Sequence, residues 1–295
     1  MKDLSNILDE IFEKLYKRDV DFSVNIFLCG AATSTRNSIR DSLNTEFRKD
    51  AKFNCVYPES IFANSYGKGG YNLLELEDEL AKYVDVIILP LEGIGTYCEL
   101  GAFAVNENLL PKIIVINNGR YEHSNSFINL GPIDLIKRHN ANNVIYFKKG
   151  KEEDIIAQII EKVRLKRYSK EISYELENLF NLSRFILYLI AIFQPIGKDG
   201  IKKLMKKLNK GKVKLNYIES AIQILTQKNR IEENIDSNPL KRSFSLSDDG
   251  HTYVYEELIE KLKVKKDFTV IRSEIINDRY KPNKRNLSRD KKLLV

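Results

Sequence analysis

The sequence contains no run of about 18 apolar residues, the length that a membrane-crossing helix needs. Its longest apolar stretches, such as Val84–Leu91, have the length of buried strands. Cysteine and histidine are scarce, three of each in 295 residues. Cys29, Cys55 and Cys98 lack metal-ligand spacing and are too few for a disulfide scaffold, so free thiols in a reducing cytoplasm are expected. His123, His139 and His251 form no ligand spacing either, and no metal is expected. No Walker motif is present. The opening MKDLSNILDEIFEKL sets acids among its apolar residues, unlike a secretion signal. With 43% hydrophobic and 30% charged residues, the composition excludes a disordered tail protein and a collagen-like repeat. The length suits one large domain or two ordinary ones.

Charge separates the two halves. Residues 1–150 hold 17 Lys+Arg and 20 Asp+Glu, whereas residues 151–295 hold 31 and 21. An acidic half joined to a basic half points to two domains with different tasks. The basic half suits nucleic acid, or is simply a set of solvated lysine-rich helices.

The first half alternates strand and helix. Strands are expected at Asn25–Gly30, Phe53–Tyr57, Val84–Leu89, Lys112–Asn117 and Asn143–Phe147. Helices are expected at Ser34–Arg48, Leu73–Tyr83, Thr96–Leu110 and Lys151–Leu165. Strands that are apolar throughout and separated by helices indicate an α/β fold: a doubly wound, parallel, five-stranded sheet covered on both faces. Ligands of such sheets sit beyond the carboxyl ends of the strands. After residues 166–180, a polar and helical connector, the pattern changes. Helices at Leu182–Phe193, Ile201–Leu208 and Leu215–Lys228 precede a hairpin from Arg230–Glu232 to Ser243–Leu246. That is the order of a winged helix, or of a small helical docking domain. The expected division is 1–165 catalytic, 166–180 connector, 181–280 winged-helix-like and 281–295 a basic tail.

The segment VDVIILPLEGIGTYCELGAF (residues 84–103) carries the chemistry. A buried strand runs into Gly93-Ile-Gly95-Thr96, where the glycines permit a tight turn and close approach of a ligand. A helix starting there offers free N–H groups and a positive dipole end, suited to phosphate. Thr96-x-x-Glu99 reads two ways. It is a capping box that closes the helix start, or Glu99 is a carboxylate beside a phosphate cradle, placed to stabilise an oxocarbenium-like sugar. Gly101 is expected to permit close helix packing. Glu92 is a candidate acid or base, or a solvated loop acid. Asp85 starts its strand at the opposite end and is excluded. Arg36 is a phosphate ligand or a surface arginine, and Gly67-Lys68-Gly69-Gly70 resembles a mobile lid.

Gly93-x-Gly95-Thr96-x-x-Glu99 after a buried strand resembles the nucleoside deoxyribosyltransferase and phosphoribohydrolase superfamily, over roughly residues 22–165. The cytokinin-activating branch carries Pro-Gly-Gly where this chain has Pro90-Leu91-Glu92. The set Ile26-Phe-Leu-Cys-Gly30, Tyr57-Pro58-Glu59, Glu99-Leu-Gly-Ala-Phe103, Asn106-Glu-Asn-Leu109 and Phe127-Ile-Asn129-x-Gly131-Pro132 is similar to the effectors of type II retrons. Those join a deoxyribosyltransferase-like domain to a C-terminal winged helix.

The resemblance implies a toxic effector of anti-phage abortive infection that hydrolyses the N-glycosidic bond of NAD or another nucleotide, without a cofactor. It implies control by a reverse transcriptase and its RNA-linked single-stranded DNA, with no membrane partner. It also implies a homo-oligomer or higher assembly, since deoxyribosyltransferases share sites across subunits. By position, Glu99 is the nucleophile or oxocarbenium stabiliser, and Gly93, Gly95 and Thr96 hold ribose or phosphate. Cys29 and Gly30 close strand one over the pocket. Glu59 binds a hydroxyl or base edge, and Asn129 reaches the site or caps a helix. The alternatives are a non-catalytic nucleotide-sensing DNA-binding regulator and a stand-alone phosphoribohydrolase.

Overall fold

The computed structural model describes residues 3–31, 35–57, 81–148, 150–166, 172–208, 213, 215–235 and 242–280. The chain forms two compact bodies. One is Ser23–Glu171; the other joins Met1–Phe22 to Ile172–Val295. This division sorts the charge less sharply than the halves did, and leaves the α/β body neutral rather than acidic. Ser23–Glu171 holds 19 Lys+Arg and 19 Asp+Glu, and the other body holds 29 and 22, the whole net charge of +7.

The chain opens in the second body. α1 (Leu4–Glu10), a π-helical stretch (Ile11–Tyr16) and α2 (Lys17–Phe22) follow without a break. The sequence reading placed these residues with the α/β domain. Instead Ile7, Leu8, Ile11, Phe12, Leu15 and Tyr16 form a buried stripe at helical spacing whose partners lie after residue 171.

The α/β body contains β1 (Val24–Leu28), α3 (Ile39–Arg48), β2 (Phe53–Val56), β3 (Val86–Pro90), α4 (Ile94–Ala104), β4 (Ile113–Asn118), α5 (Asp134–Asn140), β5 (Val144–Phe147) and α6 (Glu152–Lys166). The five strands pair in parallel in the order β2-β1-β3-β4-β5. β1 and β3 are buried at every position, which is why, apart from Asn25, they read as apolar runs rather than as alternation.

Side chains on alternate sides of the strands build two cores. Val24, Ile26, Leu28, Val86, Ile88, Ile114 and Ile116 join Ile39, Leu43 and Phe47 of α3 and Ile156, Ile159 and Val163 of α6. On the other side Phe27 meets Phe103 of α4 edge-on, with ring centroids 5.9 Å apart. The expected helix at Leu73–Tyr83 and the Gly67–Gly70 stretch lie outside the described residues, except for the last residues of that helix. The π-helical Asn129–Ile133 and α5 lie where the sequence analysis assigns no element.

The second body continues with α7 (Leu179–Phe193), β6 (Ile196–Gly197), α8 (Lys198–Leu208), α9 (Leu215–Gln227), β7 (Ile231–Ile235) and β8 (Arg242–Leu246). The three strands form an antiparallel sheet in the order β6-β8-β7. Residues 172–178 are not helical, contrary to the reading of 166–180 as a helical connector. Asp248 starts α10 (Asp248–His251), capped by Ser247, whose hydroxyl accepts from the Gly250 N–H at 3.0 Å. A π-helical stretch (Thr252–Leu258), α11 (Ile259–Lys261) and α12 (Lys265–Tyr280) follow.

α7 is buried along its whole length and is the axis of this body. It carries a buried charge, Arg184, 6% exposed, which donates to Asp19 of α2 at 2.6 Å. Phe185 packs edge-on against both Phe12 and Tyr16. Tyr16 donates to the Tyr174 carbonyl at 3.0 Å, and Tyr174 donates to Asp21 at 2.7 Å. The bond to Asp21, then burial, pushes the Tyr174 phenol up to about 12. Burial does the same to Tyr253, to about 12.

Removing one partner of a buried ion pair strands the other, at a cost of about 3–5 kcal/mol, whereas replacing both with apolar groups is often neutral. Asp19→Ala is therefore expected to lower the denaturant midpoint of this body severely. The pair of changes Asp19→Leu and Arg184→Met should recover most of the loss, as read by urea unfolding.

Candidate active site

The strand order doubles back between β1 and β3, so the connections leaving these neighbouring strands go to opposite sides of the sheet. The carboxyl edge opens there into the crevice where doubly wound sheets bind ligands. Its walls are the residues after β1 (Cys29, Gly30, Ala31) and after β3 (Leu91, Glu92, Gly93).

Cys29 is buried, and its N–H extends the ladder to the Ile88 carbonyl at 3.0 Å. Gly30 has φ +139°, and a Cβ there would lie 2.7 Å from Cβ of Arg40. Arg40 sits on α3 beneath this turn, 2% exposed. It donates to the Ala31 carbonyl at 2.7 Å, and its guanidinium carbon lies 4.2 Å from the centre of the Tyr57 ring. Burial pushes the Tyr57 phenol up. Gly30 is thus required by both backbone and neighbour, and Arg40 ties the turn after β1 to α3. Sequence reasoning missed Arg40, because a charge between Ile39 and Leu43 reads as solvent-facing.

Glu92 has a definite task. Its carboxylate accepts from the N–H groups of Ile39 at 2.7 Å and Arg40 at 3.3 Å, while Ser38 accepts from the Asp41 N–H at 3.0 Å. The two together close the start of α3, which begins at Ile39 rather than Ser34. This occupation of both oxygens favours a structural role for Glu92 over acid–base work.

α4 starts three residues earlier than a Thr96-x-x-Glu99 capping box would place it. Gly93 is its N-cap, and no side chain caps it. The capping-box reading therefore fails: Thr96 lies inside the helix at its third position, and Glu99 lies in the second turn. Gly93 has the extended φ of −143°, which any residue adopts. A Cβ at Gly93 or Gly95 would meet nothing within 4 Å, so these glycines leave the helix start open. The same holds at Gly101, which is not needed for close packing.

The Thr96 hydroxyl oxygen is buried and has no hydrogen-bond partner among the described residues. Glu99, three residues on and on the same face of the helix, has one buried carboxylate oxygen, Oε2. Tyr97 donates to the Leu91 carbonyl at 3.4 Å. Burial raises its phenol, nearby Tyr121 adds to this, and Arg120 opposes it. These two come from the loop after β4, and the Arg120 guanidinium carbon lies 4.5 Å from the centre of the Tyr121 ring. Asn129 neither caps a helix nor points freely into the crevice. Its amide nitrogen donates to the carbonyls of Tyr121 at 2.6 Å and Ser124 at 2.8 Å, holding that loop.

Of the expected residues, Cys29, Gly30, Glu92, Gly93, Gly95, Thr96 and Glu99 belong to the two segments leaving β1 and β3. Glu59 lies outside the described residues. Asp85 accepts from the Asn25 N–H at 2.7 Å, near the amino-terminal start of β1 and away from the crevice. Arg36 is exposed. Among the described residues no three His, Cys, Asp or Glu side chains gather as a metal site, and no helix is long and apolar enough to cross a membrane.

Fold and crevice together define a doubly wound α/β body with a candidate ligand site at the β1/β3 switch point. Residues 33–233 match the family described as "STM3845 retron effector protein", and the chain belongs to that family. It is 30% identical to an Escherichia coli protein named "Retron Ec86 putative ribosyltransferase/DNA-binding protein", over 68% of this chain and 70% of the relative. It is 44% identical to the Escherichia coli "Retron Ec73 putative ribosyltransferase/DNA-binding protein" over 24% of this chain and 23% of that relative.

The packing separates the glycines and the cap. Gly30→Ala should lower the thermal midpoint sharply, with about 1–3 kcal/mol from the backbone alone. Gly101→Ala should hold or raise it, since alanine in a helix gains about 0.5–1 kcal/mol over glycine. Glu92→Ala should lose about 0.5–2 kcal/mol with the cap. Differential scanning fluorimetry of the three variants reads all of these.

Proposed function

We propose that the α/β body is an N-glycosidase acting on NAD or a related nucleotide, and that the helical body docks this effector to nucleic acid. The observation that carries the first half is the uncapped start of α4 at the switch point. Its open glycines, unpartnered Thr96 hydroxyl and the Glu99 carboxylate stand in one turn and a half of helix. Phosphate or ribose hydroxyls take the helix N–H groups and Thr96. Glu99 then faces the anomeric carbon as the bond to the base breaks, and it stabilises or captures the cationic sugar; water completes hydrolysis. The ribosyltransferase named in the relatives has the same reacting centre, and differs in whether water or another acceptor takes the sugar.

The second half is supported by the element order helix–strand–helix–helix–strand–strand from α7 to β8. That order suits a winged helix, and the body carries all of the net positive charge. Membership of the retron effector family supports control by a reverse transcriptase with its RNA-linked single-stranded DNA in the cytoplasm, release of the toxic activity during phage infection, and a homo-oligomeric or higher assembly.

Incubation of purified protein with NAD and a nucleotide panel, followed by chromatography of released base, tests the chemistry. Glu99→Gln keeps the side-chain shape and should lower release by about 10³-fold, with an unchanged melting temperature. Full turnover by Glu99→Gln would remove the mechanism, and tight nucleotide binding without base release would favour a sensor. Binding of the protein to labelled nucleic acid should weaken steeply as salt rises, because phosphate contacts release counterions. A salt-insensitive affinity would count against the docking role.

A further inference from the structure

The helical body holds a cavity of about 510 Å³, bounded by the Thr252–Leu258 stretch with α11 on one side and α12 on the other. This volume is in the range of small-ligand sites, about 300–1,000 Å³. Its α12 wall is a single helical stripe: Lys265, Thr269, Arg272 with Ser273, and Ile276. Thr269, Ser273 and Ile276 are exposed, so the cavity opens to solvent along that stripe.

The opposite wall includes the Tyr255 ring, which Phe268 meets edge-on at 5.3 Å. Arg272 is anchored at the back. It donates to the Ala191 carbonyl at 2.6 Å and to the Tyr255 hydroxyl. Only one of its two terminal nitrogens makes these bonds. At the rim Lys265 pairs with Glu260 at 2.6 Å, and Glu256 adds a second carboxylate. An apolar aromatic floor, two hydroxyls, acceptor carboxylates and one fixed guanidinium match the parts of a nucleotide. The base has a flat apolar face and a hydrogen-bonding edge, and the phosphate suits a guanidinium.

We propose that this cavity binds one unpaired nucleotide of a single-stranded nucleic acid. The inference rests on the nucleic-acid role given above to the helical body and narrows it to strands with unstacked bases. In a duplex the base is stacked and paired, and it enters a pocket only when extruded. The site has no part in the crevice at β1 and β3.

The chain has no tryptophan, so one placed at the rim reports on the cavity alone. Ile276→Trp should be quenched by a single-stranded oligonucleotide and not by the same sequence as a blunt duplex. Ser273→Trp, which fills the cavity from an exposed position, should weaken single-strand binding about tenfold in fluorescence anisotropy. Its duplex affinity and melting temperature should match the wild type. Mononucleotide quenching without oligonucleotide quenching would keep the nucleotide chemistry but overturn the strand as its source. Unchanged single-strand binding by Ser273→Trp, or an equal loss for duplex, would overturn the cavity as the site while leaving the docking role standing. Absence of any nucleic-acid binding by the wild-type protein would overturn the docking role itself.

Discussion

The pairing of β1 with β3 is the constraint on which the α/β body depends. A parallel strand must be followed by a crossover, and at this junction the crossovers leave in opposite directions. The turns after the two strands therefore part, and the sheet edge opens between them. Every residue described in the crevice is fixed by that parting. Gly30 bends over Arg40 on one side, and Gly93 releases α4 on the other. Glu92 spans the gap by capping α3 from the β3 side. The carboxylate that crosses the junction, Glu92, and the carboxylate proposed to meet the sugar, Glu99, are seven residues apart on one segment.

Much of this was legible in the sequence. Val24–Leu28 and Val86–Pro90 are buried on both faces, so apart from Asn25 they are apolar throughout and the parallel sheet follows. The helix stripe Ile39, Leu43, Phe47 likewise has the period of one face. The start of α4 was misread because Thr96-x-x-Glu99 has the spacing of a cap, while the real boundary is set by Gly93, where no side chain signals it. Arg40 was hidden because its burial comes from the Gly30 turn and Tyr57, neither of which is local to it. The place of residues 4–22 was hidden for a stronger reason. Their amphipathic pattern says that they are buried, but not against what. The partner of Asp19 is 165 residues away.

In the helical body the polar groups are as selective as the apolar ones. α7 would pack against any apolar stripe, but Arg184 accepts only a neighbour that brings a carboxylate to its position. Asp19 does so, and Tyr16, Tyr174 and Asp21 extend the same contact by hydrogen bonds. A buried pair of this kind adds little net stability over apolar substitutes, but it penalises wrong pairings heavily.

The separation of Asp19 from Arg184 along the chain bears on biosynthesis. At about 5–20 residues per second, a ribosome makes α2 roughly 8–30 s before it makes the residue that neutralises it. During that interval the α/β body can be completed, since all of its strands lie within Ser23–Glu171. The first helix, with six large apolar side chains, has no partner yet. The earliest segment synthesised is thus among the last to find its native place.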